Sequence, residues 1–131
     1  MKNTFKTILL SLLTILLLSQ CKKNQITYNA YFYTTNPSAE VQLSLYIDDK
    51  YRGDLPCLYP KPTCDNDTLK QKALFLTLKS GKYKISAKDR QGNIKSSGTM
   101  KVSKNKMSSS GGMGGQEISS QSDCLIVGLF Y

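Results

Sequence analysis

The sequence predicts an all-β protein, folded as a small single-domain antiparallel β-sandwich. Apolar residues alternate with polar ones in several segments, which is the period of a half-buried strand, and no segment shows a convincing helical period. Six or seven such segments follow one another at short intervals, separated by turn residues. Of the 131 residues, the first twenty read as an export signal, and the remainder suits one domain.

Two alternating segments open the predicted sandwich. The apolar positions are Ile26, Tyr28, Ala30 and Phe32 in the first segment, and Val41, Leu43, Leu45 and Ile47 in the second. The first strand, residues 26–34, is followed by an Asn-Pro-Ser turn signal at residues 36–38. Asp48, Asp49 and Lys50 then predict a turn into a short return strand at residues 51–53.

A long connection and two more strands follow. Residues 55–72 form an excursion that contains proline, aspartate and two cysteines but no alternation. Alternating apolar residues then predict strands around residues 74–78 and 83–87. The second of these strands ends in a polar turn at residues 89–93.

The C-terminal third mixes polar and apolar segments. Residues 94–102 predict a polar strand near the edge of a sheet. Residues 103–116, rich in glycine and serine, predict a flexible loop that buries no core. Residues 124–131 are apolar on both faces and predict a central strand that is covered on both sides.

The N-terminus predicts an export signal in helical form. Lys2 and Lys6 precede an uncharged run over residues 7–20. This run is shorter than the roughly 20 apolar residues that a membrane span needs. The run ends in Leu18-Ser19-Gln20-Cys21, which resembles the cleavage motif of bacterial lipoprotein signals. The resemblance implies that the signal is removed and that Cys21 carries fatty acyl chains such as palmitate.

This resemblance divides the chain into three parts. They are a signal peptide at residues 1–20, a lipidated cysteine with a short tether at residues 21–25, and a β-sandwich domain at residues 26–131. Acyl chains hold a protein at a membrane surface, each buried methylene adding about 0.8 kcal/mol. The expected location is therefore the bacterial cell envelope, in the outer membrane rather than the inner one.

The net charge fits a membrane surface better than a nucleic acid. The sequence has eighteen basic and nine acidic residues, so its net charge is +9. The loss of Lys2 and Lys6 with the signal lowers this net charge to +7. The remaining charge is spread along the chain without a dense basic run. We expect the lipid to provide a membrane partner, an envelope protein or a glycan to be a further partner, and no nucleic acid to bind.

Three cysteines remain after Cys21. Cys57 and Cys64 flank a short loop that contains two prolines, so they form the simplest disulfide pair in an exported protein. Cys124 is then a thiol in the apolar terminal strand. The alternative joins Cys124 to Cys57 or to Cys64, and the sequence does not choose among these pairings. Without histidine, three thiols offer no usual zinc site.

Residues 41–102 also resemble PEGA-type and related transthyretin-like β-sandwich modules of the bacterial envelope. The resemblance rests on the strand from Val41 to Ile47, the hairpin from Asp48 to Pro56, and the later strands that carry Leu76, Leu78, Tyr83, Ile85 and Ala87. It implies an immunoglobulin- or transthyretin-like sandwich. It also implies a structural or binding accessory domain without catalytic residues.

The residue types argue against catalysis. The absence of histidine removes the usual general base and the nucleophile pairs that depend on it. The remaining candidates are carboxylates, namely Asp48, Asp49, Asp54, Asp65 and Asp67, and turns use aspartate equally well. An enzyme would need two of them within about 10 Å around a cleft. We expect a non-enzyme with no cofactor and no metal.

Two kinds of surface site remain as hypotheses. Thr68 lies in Asp67-Thr68-Leu69, which resembles an O-glycosylation signal of certain envelope proteins. Tyr31, Tyr33 and Tyr46 fall on strand positions opposite the predicted core, where tyrosines can stack on a sugar or a partner. The expected function is therefore a lipid-anchored accessory or binding module, with a glycan- or peptidoglycan-binding module as the alternative.

Overall fold

The computed structural model of the chain describes residues 25–35, 41–104 and 106–131. Within these residues, nine strands form two packed sheets, and one short helix lies outside the sheets. This arrangement confirms the predicted all-β sandwich. The strands are β1 Thr27–Tyr33, β2 Leu43–Ile47, β3 Lys50–Leu55, β4 Leu74–Lys79, β5 Gly81–Lys88, β6 Ile94–Ser103, β7 Lys106–Ser110, β8 Gly115–Gln121 and β9 Cys124–Phe130, and the helix is α1 Asp67–Lys70. The predicted signal helix and Cys21 lie outside the described residues.

The first and last strands lie side by side. One sheet has four strands in the order β4-β1-β9-β8, and the other has five in the order β3-β2-β5-β6-β7. All neighbouring strands are antiparallel except β1 and β9, which run parallel with Ala30 beside Leu125. The prediction that the terminal segment is a central strand is confirmed, because β9 has a partner on each side.

The core lies between the sheets and uses the alternating residues. Its members include Phe32 of β1, Leu45 of β2, Ile85 of β5, Met100 of β6, and Leu125 and Leu129 of β9, none of which has any exposed surface. Burying a large aliphatic or aromatic side chain contributes about 1.5–3 kcal/mol. The core therefore joins strands from both halves of the chain.

The β2–β3 hairpin turns at Asp48 and Asp49, whereas Lys50, which was predicted to belong to the turn, is the first residue of β3. Asp48 and Asp49 both have positive φ, at 51° and 63°, as a turn that matches the strand twist requires. A carboxylate oxygen of Asp48 accepts a hydrogen bond from the Lys84 backbone N–H at 2.9 Å. The Asp48 N–H donates in turn to the Lys84 carbonyl at 2.8 Å, so the turn is fastened to β5.

Residues 103–116 are not a flexible loop throughout, because they contain β7 and a held turn. β7 pairs with β6 along its length, and Met107 packs against the core. In the turn that follows, the Ser97 N–H donates to the Met113 carbonyl at 2.8 Å, and the Met113 N–H donates to the Ser97 hydroxyl at 3.2 Å. Backbone hydrogen bonds replace the missing apolar side chains, so composition alone predicts a loop here.

The excursion between β3 and β4 contains the helix α1. Asn66 caps its start by accepting a hydrogen bond from the Leu69 N–H at 3.1 Å. Lys70 in its last turn forms an ion pair with Asp67 at 2.8 Å and donates to the Cys64 carbonyl at 2.8 Å. Among the described residues, no helix is long and apolar enough to cross a membrane.

Candidate binding surfaces

The three tyrosines predicted to form a binding face point away from the core but lie on opposite sides of the sandwich. Tyr31 and Tyr33 belong to β1 in the four-stranded sheet, and Tyr46 belongs to β2 in the five-stranded sheet. Their strand neighbours Phe32 and Leu45 point into the shared core. The three rings therefore form no common patch, and each side of the sandwich is described in turn.

Tyr33 is covered by the excursion. It is only 2% exposed and packs with Leu58 and Ile126 in a second, smaller apolar cluster. The Phe130 ring meets it edge-on at 6.0 Å between centroids. Burial, helped by the negative charge of Glu117, raises the pKa of Tyr33 to about 12. Tyr33 is therefore a buried packing residue and offers no ring face to a ligand.

Tyr31 is half-buried at the side of the same cluster. Its ring lies 5.3 Å from the ring of Phe75, which is half exposed on the neighbouring strand β4. The Lys70 Nζ lies 5.6 Å from the Tyr31 centroid. Tyr31 thus links α1 to the sheet, and Phe75 is the more accessible aromatic residue of this face.

The disulfide joins Cys64 to Cys124, so the simpler Cys57–Cys64 pairing is not formed. The two cysteines are 60 positions apart in the chain, with Cα atoms 5.9 Å apart. Cys57 is exposed, and its backbone forms a parallel bridge with Thr34. Cys64 instead packs against the cluster beside Cys124. The alternative pairing left open by the sequence is therefore the one found, and it fastens the excursion to β9.

Thr68 is an exposed residue of α1. Its position at the surface leaves the side chain accessible to a modifying enzyme, as a glycosylated residue requires. Glycosylation of Thr68 stays a prediction, which a mass shift on the peptide that contains Thr68 would test.

Four of the five clustered aspartates, Asp48, Asp49, Asp54 and Asp67, make contacts that hold local structure. Asp49 forms an ion pair with Lys84 at 3.2 Å, and Asp54 accepts hydrogen bonds from Ser44 at 2.8 Å and Tyr51 at 3.2 Å. Asp67 lies in the first turn of α1 and is paired with Lys70, as described above. Among the described residues, no group of three or more cysteine, aspartate or glutamate side chains could hold a metal ion.

A tyrosine patch lies on the outer face of the five-stranded sheet, and its members are Ser44, Tyr46, Tyr51, Asp54 and Lys88. The rings of Tyr46 and Tyr51 meet edge to face at 5.8 Å, and the Lys88 Nζ lies 4.3 Å from the Tyr46 centroid. Tyr51 is 57% exposed, and partial desolvation together with its hydrogen bond to Asp54 raises its pKa. An exposed ring beside a carboxylate can stack on a sugar and accept its hydroxyl hydrogens.

A lysine groove of about 550 Å³ lies at the end of the sandwich where the chain enters β1. Its lining consists of Gln25, Ile26, Ser80, Gly81, Lys82, Lys101, Val102, Ser103 and Lys104. No pattern in the sequence predicted this groove. The turn predicted at residues 89–93 could have indicated it. Strands β5 and β6 pair in an antiparallel hairpin about that turn, and this pairing places Lys82 beside Lys101.

The sequence matches no protein-family model, and neither a curated protein nor a solved structure matches it. Function must therefore be argued from these surfaces and from the N-terminal sequence.

Proposed function

We propose that this protein is a lipid-anchored component of the bacterial cell envelope and acts as a non-catalytic accessory or binding module. The observation that carries the proposal is the short distance along the chain between Cys21 and the folded domain. Gln25, four residues after Cys21, already lines the lysine groove. Four residues reach at most about 14 Å. A lipid on Cys21 therefore keeps this end of the sandwich near the membrane surface.

The arrangement of the other surfaces supports a binding role. A sandwich held by one end presents its outer faces and its far end to other molecules. The tyrosine patch and the exposed Phe75 lie on those outer faces, and interface residues are enriched in such aromatic side chains. The partner that we propose is another envelope protein, and the PEGA-like resemblance of residues 41–102 points to the same accessory role.

The anchor is tested by the Cys21→Ser variant. We expect the wild-type protein to fractionate with membranes and its N-terminal peptide to carry the mass of fatty acyl chains. The Cys21→Ser protein should lose that mass, while a Cys57→Ser variant should keep it. An unmodified Cys21 in protein purified from membranes contradicts the proposed anchor.

The binding role is tested by cross-linking in intact cells. We expect a Tyr51→Ala variant to lose cross-links to specific envelope proteins that the wild type retains. A Tyr59→Ala variant is the matched control, because Tyr59 is 91% exposed and lies outside the tyrosine patch. Equal recovery of every partner from both variants contradicts a protein-binding role for the patch.

Glycan binding is the second candidate, and the exposed Tyr51 beside Asp54 favours it. Soluble peptidoglycan fragments should shift the amide resonances of β2 and β3, and Tyr51→Phe should bind them better than Tyr51→Ala. Shifts confined to other strands, or no shifts at millimolar fragment concentration, contradict this second candidate.

A further inference from the structure

The geometry points to the lysine groove as the membrane-contact site of the domain, where Lys82, Lys101 and Lys104 bind the phosphate groups of anionic phospholipids. This inference rests on the proposed lipid anchor. It adds the orientation of the domain, because the anchor fixes only one point of the chain. It also assigns a ligand class, a phosphodiester head group, to a particular cavity.

Two facing lysines of the groove, Lys82 and Lys101, repel each other. Lys82 of β5 and Lys101 of β6 are direct cross-strand partners, so their side chains leave the same face of the sheet. Like charges directly opposite each other destabilise a strand pair. Both side chains are exposed, and neither belongs to an ion pair within the described part of the chain. An anion between the two ammonium groups would offset this repulsion.

The third lysine extends the positive charge along the rim. Lys104 is exposed in the turn that follows β6, and it takes part in no ion pair of the described residues. The groove therefore carries three positive charges that no ion pair among the described residues compensates.

The groove also has an apolar lining between its lysines. Ile26 is half-buried and Val102 is 1% exposed, so the inner part of the groove is apolar. Ser80 and Ser103 also line the groove, and their hydroxyl groups donate to the backbone carbonyls of Ile26 at 3.3 Å and Lys106 at 2.7 Å. A phospholipid head group has the matching order of parts, a charged phosphate followed by the less polar glycerol and acyl region.

The groove lies close to Cys21 along the chain. The chain leaves the groove at Gln25 toward Lys22, Lys23 and Cys21, and these preceding residues lie outside the described ones. A lipid on Cys21 would hold the groove within a short tether of the bilayer, where anionic head groups are concentrated. Free phosphate has no such enrichment, so we assign the groove to membrane phospholipid rather than to a soluble ion.

The test measures contact with lipid in the protein purified from membranes and reconstituted into nanodiscs. Amide signals are recorded with spin-labelled head groups, in discs of phosphatidylcholine and in discs that also contain phosphatidylglycerol. We expect strong broadening at Lys82, Lys101 and Lys104 only in the anionic discs. Each lysine near such a surface contributes about fivefold, so the triple glutamine variant should lose on the order of 100-fold in preference for anionic lipid.

The control is a second triple variant with the same loss of charge. Arg52→Gln, Lys72→Gln and Arg90→Gln remove three exposed positive charges outside the groove and should leave the broadening in place. Broadening centred on another surface, or equal in neutral discs, would overturn the inference. Saturation of the same amides by free phosphate at the lipid phosphate concentration would also overturn it.

The mass of the Cys21 peptide separates the two proposals. A lipidated Cys21 without groove broadening refutes the contact site and leaves the anchor intact. An unmodified Cys21 refutes the anchor whatever the groove does.

Discussion

Cys64 and Cys124 are joined by a disulfide although 60 positions separate them in the chain. Cys64 lies in the excursion, three residues before α1 begins at Asp67, and Cys124 is the first residue of β9. The bond fastens an irregular segment to the outside of the four-stranded sheet. Beneath that segment lie Tyr33 and Ile126, which would otherwise be exposed on the sheet surface.

Removing this disulfide should weaken the whole domain. For a Cys64→Ala/Cys124→Ala variant we expect the free energy of unfolding to fall by about 4 kcal/mol, from the chain entropy of a closed loop of this length. Urea denaturation of the oxidised wild type and the variant measures the difference. A Cys57→Ser variant should keep the bond, seen as a linked Cys64–Cys124 peptide under non-reducing conditions. A Cys57–Cys64 linked peptide from the wild type contradicts the structure.

Two neighbouring glycines in the β7–β8 turn should differ in their tolerance of alanine. A Cβ atom on Gly112 would lie 1.8 Å from the Ser97 carbonyl oxygen, with φ at +101°. A Cβ atom on Gly111 would meet nothing within 4 Å, although its φ is also positive, at +67°. We therefore expect Gly111→Ala to cost about 1 kcal/mol of stability from backbone strain alone, and Gly112→Ala to cost clearly more. Thermal unfolding compares them, and equal costs would contradict the packing of this turn on β6.

Stability should fall in alkali as Tyr33 ionises. Its folded pKa of about 12 lies above the ordinary value of 10.0. The neutral ring therefore adds stability that is fully present below pH 10 and is lost as the pH rises toward 12. A two-unit shift corresponds to roughly 3 kcal/mol. Ultraviolet titration of the tyrosines should show a late-ionising phenol that is absent from Tyr33→Phe.

A Glu117→Gln variant separates the two causes of the raised pKa of Tyr33. Burial is the larger contribution, and the charge of Glu117 is the smaller one. Glu117→Gln should therefore lower the pKa of Tyr33 only in part. A return of that pKa to 10.0 in Glu117→Gln would contradict burial as the larger cause of the raised pKa.

The turn between β5 and β6 should weaken in acid. A carboxylate oxygen of Asp89 accepts hydrogen bonds from the backbone N–H groups of Gln91 at 3.0 Å and Asn93 at 2.9 Å, and its second oxygen accepts one from the Asn93 side chain at 3.0 Å. These bonds, with that of the Asn93 side chain the largest cause, lower the pKa of Asp89 below its ordinary value of 3.8. The stability that they provide is present above pH 3.8 and is lost as the pH falls through the lower pKa. Carbon-detected titration of the carboxyl groups should place Asp89 below 3.8, and an ordinary pKa would contradict these contacts.

The strands with apolar alternation could be predicted from the sequence. The alternation from Leu43 to Ile47 determines which side chains of β2 face the core, and the uniformly apolar residues of β9 indicate a strand covered on both sides. The aspartate turn could be predicted because few residues accept two successive positive φ angles. In each case the local sequence contains the physical cause.

The remaining features depend on partners that are distant in sequence. β7 and β8 are polar, and backbone pairing to β6 and β9 holds them in place. Alternation correctly places Tyr33 and Tyr46 on outward faces, but it does not say which sheet each strand joins or what covers it. The Cys64–Cys124 bond likewise depends on where the excursion folds, which its own residues do not determine.

The parallel pairing of β1 with β9 has a mechanical consequence. β1 begins beside the lysine groove, and its hydrogen bonds to β4 and β9 run along its whole length. A pull directed along the axis of β1 loads these bonds together in shear, whereas a pull across the strand would open them one by one. A domain tethered through β1 would therefore resist drag from the surrounding envelope with its two central strands acting together.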